Sequence, residues 1–560
     1  MRREASVVNK KVCSFPILFA LLALLIGTCA VVFPASAQAA PTSTGSITVS
    51  GNVARSYDAY QIFSANVVDG DGDAKIATDL AWASDAVRDA ALPVLHSAGM
   101  PNSQTTAQEA AEWLNTDSHL TSALSAQLAR SLQSSGAVSV ALNAGTTAEL
   151  PCGYWLIVAD DDVIAQGEAG TAPIMALVGG SAVTVKPKAA TPKVSKHVLE
   201  DSAAAWQKAA DATVADDLYW RLSATVPAGL AAYDTYTVRF VDTMGAGLDP
   251  SKVAASMRVY VAAGADGGFD AVSCEGGSAS STPAKGWTDI TSQCRVSVEG
   301  KAFTVSTGDL IAALGGADAF TAGARVVAVY NAPLNSACNH GIAKGNPNEV
   351  YLRYPRSPFA DQSGDAGFTR TPSDDACAYT WDLALTKRGS DGDKPLAGAV
   401  LSIADDRGRT LAADGTWDAE GKATVTTGED GRVTVSGVDS GKLEVRELKA
   451  PKGYTAFEGT RSVTVKAEGL DVDQVAAAKP KLTITAESPL RADSADGSTG
   501  SLEASLINTP TGTPPSITTG GFMPSTGDMA MYAAVAAAVA GAALIVVALL
   551  VKRGGGSHKE

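Results

Sequence analysis

Apolar and polar residues alternate in short runs along most of the chain, and Gly, Asp, Asn or Pro separates one run from the next. In the segment 235–241, for example, Tyr236, Val238 and Phe240 would share one face of a strand. This period of two is typical of antiparallel β-sheets. The segment 79–132 differs, because its Ala, Leu and Trp residues recur at spacings of three and four. The pattern therefore predicts one helical segment within a mainly β protein.

Changes in composition divide the chain into three predicted domains. The first, 42–188, combines strands with the helical segment, and a short linker of Pro, Lys and Ala follows it. The segments 193–373 and 377–508 consist of strand patterns, and the Pro/Thr/Gly-rich segment 509–522 cannot bury a core. A chain of 560 residues is long enough for about three such domains. We therefore expect an α+β N-terminal domain followed by two tandem immunoglobulin-like β-sandwiches.

Both ends of the chain carry segments that direct a protein across a membrane. Residues 1–39 have a basic start, an apolar middle and small residues that favour cleavage after Ala37 or Ala39, which predicts a secretory signal peptide. Residues 529–551 contain no charge and are long enough for a transmembrane helix. The basic residues that begin the tail 552–560 orient that helix with its C-terminus in the cytoplasm. The body of the protein is therefore expected outside the cell.

Charge and motif content exclude several classes of function. The formal net charge of -15 argues against nucleic acid as a partner. The chain has no C-x-x-C pair for zinc, and the acidic stretch Asp69–Asp73 lacks the Gly and Glu of a calcium loop, so we interpret it as a hairpin tip. The scattered histidines suggest no pairing of a base with a nucleophile. We expect no metal, no cofactor and no enzyme that turns over a substrate.

Five cysteines remain after removal of the signal peptide, and disulfides can persist outside the cell. They are Cys152, Cys274, Cys294, Cys338 and Cys377. Because five is odd, at least one stays free or pairs between chains. Cys274 and Cys294 flank a Gly/Ser-rich excursion and are our first choice of pair, Cys338 with Cys377 is the second, and Cys152 is expected to stay free.

Met523-Pro524-Ser525-Thr526-Gly527 precedes the apolar segment and resembles the LPxTG sorting signal of Gram-positive surface proteins, with Met in place of Leu. In that family a sortase cleaves between Thr and Gly and joins the Thr to an amine. The resemblance implies cleavage between Thr526 and Gly527. The alternative is an ordinary single-span membrane anchor.

The third predicted domain carries a second resemblance. Residues 443–454 look like the E-box of Gram-positive pilins, while 381–387 and 506–510 look like the first and last strands of a collagen-adhesin B-type domain. In that family a lysine and an asparagine form an amide bond with the help of a buried carboxyl. The resemblance implies a nucleophile, an electrophile and a proton shuttle, which are Lys387, Asn508 and Glu447.

The second domain resembles the A-type variant of the same arrangement. Residues 191–198 look like its opening strand, 240–244 like the strand with its acid, and 345–354 like its closing strand. The implied nucleophile, acid and acceptor are Lys196, Asp242 and Asn348. The family continues Y-S-N-N-P after the closing strand, where this chain has Tyr354-Pro355-Arg356. If that later Asn were the acceptor, the bond would be lost.

The chemistry of such a bond requires burial. A lysine near its solution pKa of about 10.4 is protonated and is a poor nucleophile. Burial lowers the pKa of an amine and raises that of a carboxyl, so the neutral amine can attack while the protonated acid polarises the amide.

Residues 183–188 resemble the pilin motif, an alternating strand that ends in Tyr-Pro-Lys. In that family a sortase joins the Thr of one subunit to this Lys of the next. Lys188 matches best, Lys186 is a close alternative and Lys193 a distant one.

Together these segments resemble a major shaft pilin of sortase-assembled pili, of the type found in actinobacteria. The resemblance implies a wall-anchored structural subunit that supports adhesion and is polymerised through Thr526 and Lys188. Its implied partners are pilus-class and housekeeping sortases, identical subunits, minor or tip pilins, peptidoglycan, and surface ligands of a host or of other bacteria. The alternatives are a monomeric wall-anchored adhesin that binds a host ligand and, from a third class, a wall-anchored enzyme.

Overall fold

The computed structural model describes residues 43–512 except 52–54, 117–118, 161–163, 165–166, 188–190, 229, 265–267, 276–277 and 321–322. The predicted signal peptide, sorting signal, membrane span and cytoplasmic tail lie outside the described residues, as does Lys188. Within the described ranges no helix has both the length and the apolar character needed to span a bilayer. The three predicted domains can each be compared with the structure.

The N-terminal domain combines two sheets with three helices. Its elements are β1 (Thr44–Val49), β2 (Ser56–Asp69), β3 (Lys75–Trp82), α1 (Asp85–Ser97), α2 (Ala107–Asn115), α3 (Ser122–Ser135), β4 (Ser139–Asn143), β5 (Thr147–Pro151), β6 (Gly153–Ala159), β7 (Ile174–Val178) and β8 (Val183–Val185). One sheet has the order β5-β1-β8, and the other has the order β3-β2-β6-β7 with β4 paired to β2. The acidic stretch 69–73 lies at the β2–β3 turn, as predicted.

Local capping explains where the helices begin. The side chains of Ser84, Thr106 and Thr121 each accept a hydrogen bond from a backbone N–H in the first turn of α1, α2 and α3. Thr106 and Glu109 form a reciprocal capping box. These caps break the predicted helical segment into three helices, and their apolar faces pack on the larger sheet.

The middle domain is a β-sandwich. Its elements are β9 (Lys193–Glu200), β10 (Ala205–Gln207), β11 (Ala209–Asp211), β12 (Tyr219–Val226), β13 (Arg239–Met244), α4 (Val253–Ser256), β14 (Arg258–Ala263), β15 (Val272–Glu275), β16 (Ser278–Pro283), β17 (Thr288–Asp289), β18 (Arg295–Glu299), β19 (Ala302–Ser306), α5 (Leu310–Ala313), β20 (Ala324–Asn331), β21 (Asn346–Pro355), β22 (Phe368–Arg370) and β23 (Asp374–Tyr379). The first sheet has the order β10-β9-β12-β20-β14-β17. The second has the order β11-β23-β21-β13-β19-β18, with β22 paired to β21. The main apolar core lies between the two sheets.

The C-terminal domain is a second sandwich. Its strands are β24 (Trp381–Gly389), β25 (Val400–Ala404), β26 (Thr410–Leu411), β27 (Trp417–Asp418), β28 (Val425–Thr426), β29 (Arg432–Val438), β30 (Gly441–Lys449), β31 (Tyr454–Thr455), β32 (Thr460–Glu468), β33 (Lys481–Ala486), β34 (Leu490–Asp496) and β35 (Ser501–Pro510). One sheet has the order β29-β24-β35-β31, with β34 paired to β35, and the other has the order β27-β26-β25-β30-β32-β33, with β28 paired to β25. The mainly β class with two sandwiches is confirmed.

The boundary between the two sandwiches differs from the sequence prediction. β23 pairs with β21 and β11, so the middle sheet continues to Tyr379, past the predicted end at residue 373 and past the predicted start of the next domain at Cys377. The same strand also turns Cys377 and Tyr379 toward the C-terminal core. β23 therefore belongs to the middle domain by its hydrogen bonds and packs two side chains into the C-terminal core. Trp381 begins the next sheet directly after it.

Candidate functional site

The three residues singled out in the C-terminal domain lie together inside its sandwich. Lys387, Glu447 and Asn508 are 0%, 6% and 3% exposed. The Lys387 Nζ lies 3.6 Å from Glu447 Oε1. The Asn508 Nδ2 donates to both carboxylate oxygens of Glu447, at 2.9 and 3.0 Å. The carboxyl group therefore contacts both the amine and the amide nitrogen.

Strand periodicity carries these polar groups into the core. On β24, Lys387 follows Trp381, Leu383 and Leu385 on the inward face. Glu447 and Asn508 end similar inward rows on β30 and β35. β24 and β35 pair in parallel, with Lys387 opposite Leu506 and Asn508 opposite Gly389. Lys387 and Asn508 are therefore diagonal neighbours on one face of one sheet, and Glu447 approaches them from the facing sheet.

The surroundings of this set make the neutral form of the amine more accessible than it is in water. Burial lowers the pKa of Lys387 to about 8, and the nearby Glu447 charge opposes that shift. Lys387 Nζ donates one hydrogen bond to the backbone oxygen of Leu506 at 3.2 Å. The Asn508 Oδ1 is buried without a hydrogen-bond partner among the described residues. An amide oxygen in this state can accept a proton or a hydrogen bond as charge develops on it.

The middle domain holds a second set with a different layout. Lys196, Asp242 and Asn348 are each 0% exposed. Lys196 Nζ forms a short ion pair with Asp242 Oδ2. Lys196 also donates to the hydroxyl of Tyr330 at 2.9 Å, and Asn348 Nδ2 donates to the same hydroxyl at 2.8 Å. Tyr330, rather than the acid, therefore contacts the amide nitrogen here.

The sheets explain this layout. Lys196 lies on β9 in the first sheet, whereas Asp242 and Asn348 lie on β13 and β21 in the second. Asp242 is opposite Val350 and Asn348 is opposite Met244, so the acid and the amide are diagonal neighbours. The lysine crosses the core to reach them and passes 5.5 Å from the ring centres of Trp220 and Tyr330.

Burial dominates the charges of the middle set. It lowers the pKa of Lys196 to about 8 and raises the pKa of Asp242 above its usual value, although their mutual attraction opposes both shifts. Asp242 Oδ1 and Asn348 Oδ1 are buried without a hydrogen-bond partner among the described residues. Burial therefore disfavours the charged forms of both the amine and the acid.

The predicted linkage residues are only partly within the described chain. Lys186 is exposed and follows the end of β8, and Lys193 is exposed at the start of β9. Lys188 lies outside the described residues, as do Thr526 and the rest of the sorting signal. β8 is an edge strand of the sheet β5-β1-β8.

The cysteines differ from the prediction. All five cysteines of the described chain are free, so the structure contains neither the first-choice pair Cys274–Cys294 nor the second choice Cys338–Cys377. Cys274 lies on the β15–β16 hairpin that covers the outer face of the first sheet. The Cys294 thiol instead donates to the backbone oxygen of Ile290 and packs against the core between the sheets. The Gly/Ser-rich excursion therefore does not bring the two sulfurs together.

Sequence reasoning missed two groups. Tyr330 joins the middle set from β20, and nothing in the spacing of the motif residues points to it. Cys338 Sγ lies 3.6 Å from His340 Nε2, and His340 Nδ1 lies 2.8 Å from Asp382 Oδ1. The spacing C-x-H in the sequence points to the contact between Cys338 and His340. The contact between His340 and Asp382 depends on how the two sandwiches meet, and the sequence gives no sign of it.

The C-terminal domain matches a known family. The model of the SpaA prealbumin-like fold domain matches residues 382–479. The match begins within β24 and includes Lys387 and Glu447, while Asn508 follows it in the sequence.

One curated relative is similar to this chain over part of its length. The trypsin-resistant surface T6 protein of Streptococcus pyogenes serotype M6 is 30% identical over 143 residues. The alignment spans 24% of this chain and 24% of that protein.

Several solved structures are similar to this chain, each at low identity and with a TM-score below 0.5. The T6 backbone pilin of serotype M6 Streptococcus pyogenes has a TM-score of 0.45 at 16% identity and covers 85% of this chain and 100% of its own. The full-length major pilin SpaD from Corynebacterium diphtheriae has a TM-score of 0.40 at 16% identity, covering 84% and 98%. The major pilin subunit BcpA of Bacillus cereus has a TM-score of 0.38 at 10% identity, covering 84% and 99%.

Proposed function

We propose that this chain is a backbone subunit of a covalently polymerised Gram-positive pilus and that each sandwich is closed by an internal Lys–Asn amide bond. The observation that carries the proposal is the recurrence of one buried set, a lysine, an acid and an asparagine, in both sandwiches. Buried charged groups are rare unless they are paired or functional. Two such sets at the motif positions support a chemical role.

The reaction within each set is an aminolysis. In the C-terminal domain the neutral Lys387 amine attacks Cγ of Asn508, and the new C–N bond replaces the bond from Cγ to Nδ2. Glu447 accepts the proton lost by the amine and supplies one to the departing nitrogen, which leaves as ammonia. The contacts of Glu447 with both nitrogens support this shuttle.

Polymerisation would join the C-terminal sorting signal of one subunit to the linker that follows the first domain of the next. A sortase cleaves between Thr526 and Gly527 and transfers the Thr carbonyl to the amine of Lys188 in the next identical subunit. β8 is an edge strand and Lys186 beside it is exposed, which supports the start of the linker as a point of access for the enzyme. Lys186 remains the alternative acceptor. The last subunit would be joined to peptidoglycan by the housekeeping sortase, and minor or tip pilins would complete the fibre.

An immunoblot of wall extracts tests polymerisation. The wild-type chain should give a ladder of high-mass species, and Lys188→Ala should reduce it to a single monomer band while protein remains on the cell. Lys193→Ala is the matched control, because it removes an exposed lysine beyond the linker and should leave the ladder intact.

Three results would each contradict one part of this proposal. A full ladder from the double variant Lys188→Ala, Lys186→Ala would exclude the linker as the acceptor. A single band from the wild type would favour the monomeric wall-anchored adhesin. Thr526→Ala should abolish both the ladder and the wall linkage, and normal anchoring of that variant would exclude sortase processing.

A further inference from the structure

The hydroxyl group of Tyr330 lies at the centre of the middle set. It accepts hydrogen bonds from Lys196 Nζ at 2.9 Å and from Asn348 Nδ2 at 2.8 Å. It donates to Asp242 Oδ2 at 3.0 Å. The side chain is fully buried. One oxygen atom therefore contacts the amine that would attack, the nitrogen that would leave, and the acid.

Sheet geometry keeps Asp242 from the leaving nitrogen. Diagonal neighbours on adjacent antiparallel strands are about 7–8 Å apart, and the aspartate side chain is short. Its hydrogen-bond partners are Lys196 and Tyr330, and Oδ1 has none within the described chain. A proton that starts on Asp242 therefore needs a carrier to reach Nδ2 of Asn348.

Tyr330 has the protonation state that such a carrier needs. Burial, reinforced by the Asp242 charge, holds the pKa of its phenol well above 10. The hydroxyl therefore keeps its proton at neutral pH and can pass it on only as it receives another. Its ring is fixed at an edge-to-face contact with Phe303, with 4.7 Å between the ring centres.

We propose that Tyr330 is a catalytic residue of the middle domain, where it relays a proton from Asp242 to the departing nitrogen of Asn348. This inference rests on the proposed Lys196–Asn348 bond. The neutral Lys196 amine attacks Cγ, and Nδ2 of the resulting tetrahedral intermediate can accept a proton. The Tyr330 hydroxyl, which donates to Asp242 before the reaction, then turns its hydrogen to Nδ2 and gives it up there as its oxygen takes the proton of Asp242. The bond from Cγ to Nδ2 breaks and ammonia leaves. Asp242 is protonated again by the proton that the attacking nitrogen loses.

The relay is specific to the middle domain. In the C-terminal domain Glu447 hydrogen-bonds directly to Asn508 Nδ2, so no carrier is needed. Removal of the Tyr330 hydroxyl should therefore affect one bond and leave the other unchanged.

The test is Tyr330→Phe in the whole ectodomain, followed by intact mass after cell-free synthesis and by mapping of the cross-linked peptides. Phenylalanine keeps the ring in the core and removes only the hydroxyl. The wild type should lose two molecules of ammonia, whereas Tyr330→Phe should lose one promptly. Its Lys196–Asn348 peptide should form about 100-fold more slowly, within the range of general acid catalysis.

Tyr354→Phe is the matched control. Tyr354 is a fully buried tyrosine in the same core, and its hydroxyl donates to the backbone oxygen of Glu168 rather than to the set. This variant should form both bonds at the wild-type rate, which separates the relay from a general loss of packing.

The outcomes separate this inference from the proposed function. If Tyr330→Phe forms the middle bond as fast as the wild type, the relay is wrong and the bond stands. If the wild type lacks the cross-linked Lys196–Asn348 peptide, the proposed amide bond does not form, and the proposed relay through Tyr330 is contradicted as well. If Tyr354→Phe is as slow as Tyr330→Phe, the effect is one of packing and the relay is overturned.

Discussion

Lys196 and Lys387 are both fully buried, yet they reach their asparagines in different ways. Lys196 crosses from one sheet to the other, whereas Lys387 lies beside Asn508 on neighbouring parallel strands of one sheet. The acid differs in the opposite sense. Asp242 shares a sheet with its asparagine and needs Tyr330 to contact it, while Glu447 approaches from the facing sheet and contacts it directly.

This comparison indicates that the sheet on which the acid lies decides whether a further hydroxyl group is needed between the acid and the amide nitrogen. A short carboxylate on the sheet of the asparagine cannot reach the amide nitrogen, so the facing sheet supplies a hydroxyl. A longer glutamate on the facing sheet reaches both nitrogens alone. The two bonds would also restrain different motions, since the middle bond would tie the two sheets together and the C-terminal bond would tie the first strand to the last.

Removal of one acid should prevent the amide bond and lower the stability in its own domain only. Glu447→Ala should leave only one ammonia lost, so the mass of the ectodomain should lie about 17 Da above that expected for the variant's own sequence with both bonds, because the Lys387 amine would no longer expel ammonia. Without its closed loop of about 120 residues, the C-terminal domain should lose roughly 5 kcal/mol in the loop-closure model. Intact mass, thermal unfolding and limited proteolysis measure these changes, and the middle domain should stay resistant to protease.

The control for this variant lies on the same strand. Glu444→Ala removes an exposed carboxyl of β30 that pairs with Lys442 at the surface, so both molecules of ammonia should still be lost and the stability should stay at the wild-type value. A Glu447→Ala protein that still loses two molecules of ammonia would show that the acid is not needed. The two domains would then not share one chemistry.

The pH dependence of uncrosslinked variants should reveal the buried amines. Asn508→Ala leaves Lys387 free, with a pKa of about 8 in the folded domain and 10.5 as its ordinary value. Between these values the unfolded chain binds more protons, so the free energy of unfolding rises with pH. The stability gap between this variant and the wild type should narrow between pH 8 and about pH 10, by roughly 2–3 kcal/mol.

The middle domain gives the parallel measurement. Asn348→Ala frees Lys196, whose pKa is also about 8, and its gap to the wild type should narrow over the same pH range. A gap that is constant with pH in both variants would mean that neither amine is buried in its neutral form. A gap that narrows with pH in one variant alone would mean that only the lysine of that domain is buried with a lowered pKa.

The smallest effect concerns the cysteines. Since all five cysteines of the described chain are free, a reductant should leave the melting temperature of the ectodomain unchanged. Thiol labelling after denaturation without reductant should modify Cys274 and Cys294. If both thiols react only after a reductant is added, the result would support the predicted Cys274–Cys294 disulfide and contradict the free thiols of the structure.

The burial of the three residues of the C-terminal set could be predicted because strand periodicity carries the information. In β24, β30 and β35 a polar residue occupies the inward row of an apolar strand, and the family motif marks the same residue. The three helices of the first domain were visible as one segment, because spacings of three and four show helix but not the caps that divide it.

Other features could not be predicted because they depend on contacts between distant segments. Tyr330 reaches the set from β20, where it is one of several inward apolar residues and carries no distinguishing pattern. The shared strand β23 follows from pairing with both β11 and β21. The cysteines were paired by proximity in sequence, while the hairpin places Cys274 on the opposite side of a sheet from the core that Cys294 faces.

The intact mass of the purified wild-type ectodomain, measured under reducing conditions, tests the central claim most directly. Two Lys–Asn bonds predict a mass about 34 Da below that of the unmodified sequence, because each bond expels one ammonia. Peptide mapping should then recover Lys196 joined to Asn348 and Lys387 joined to Asn508. The full unmodified mass would contradict both bonds.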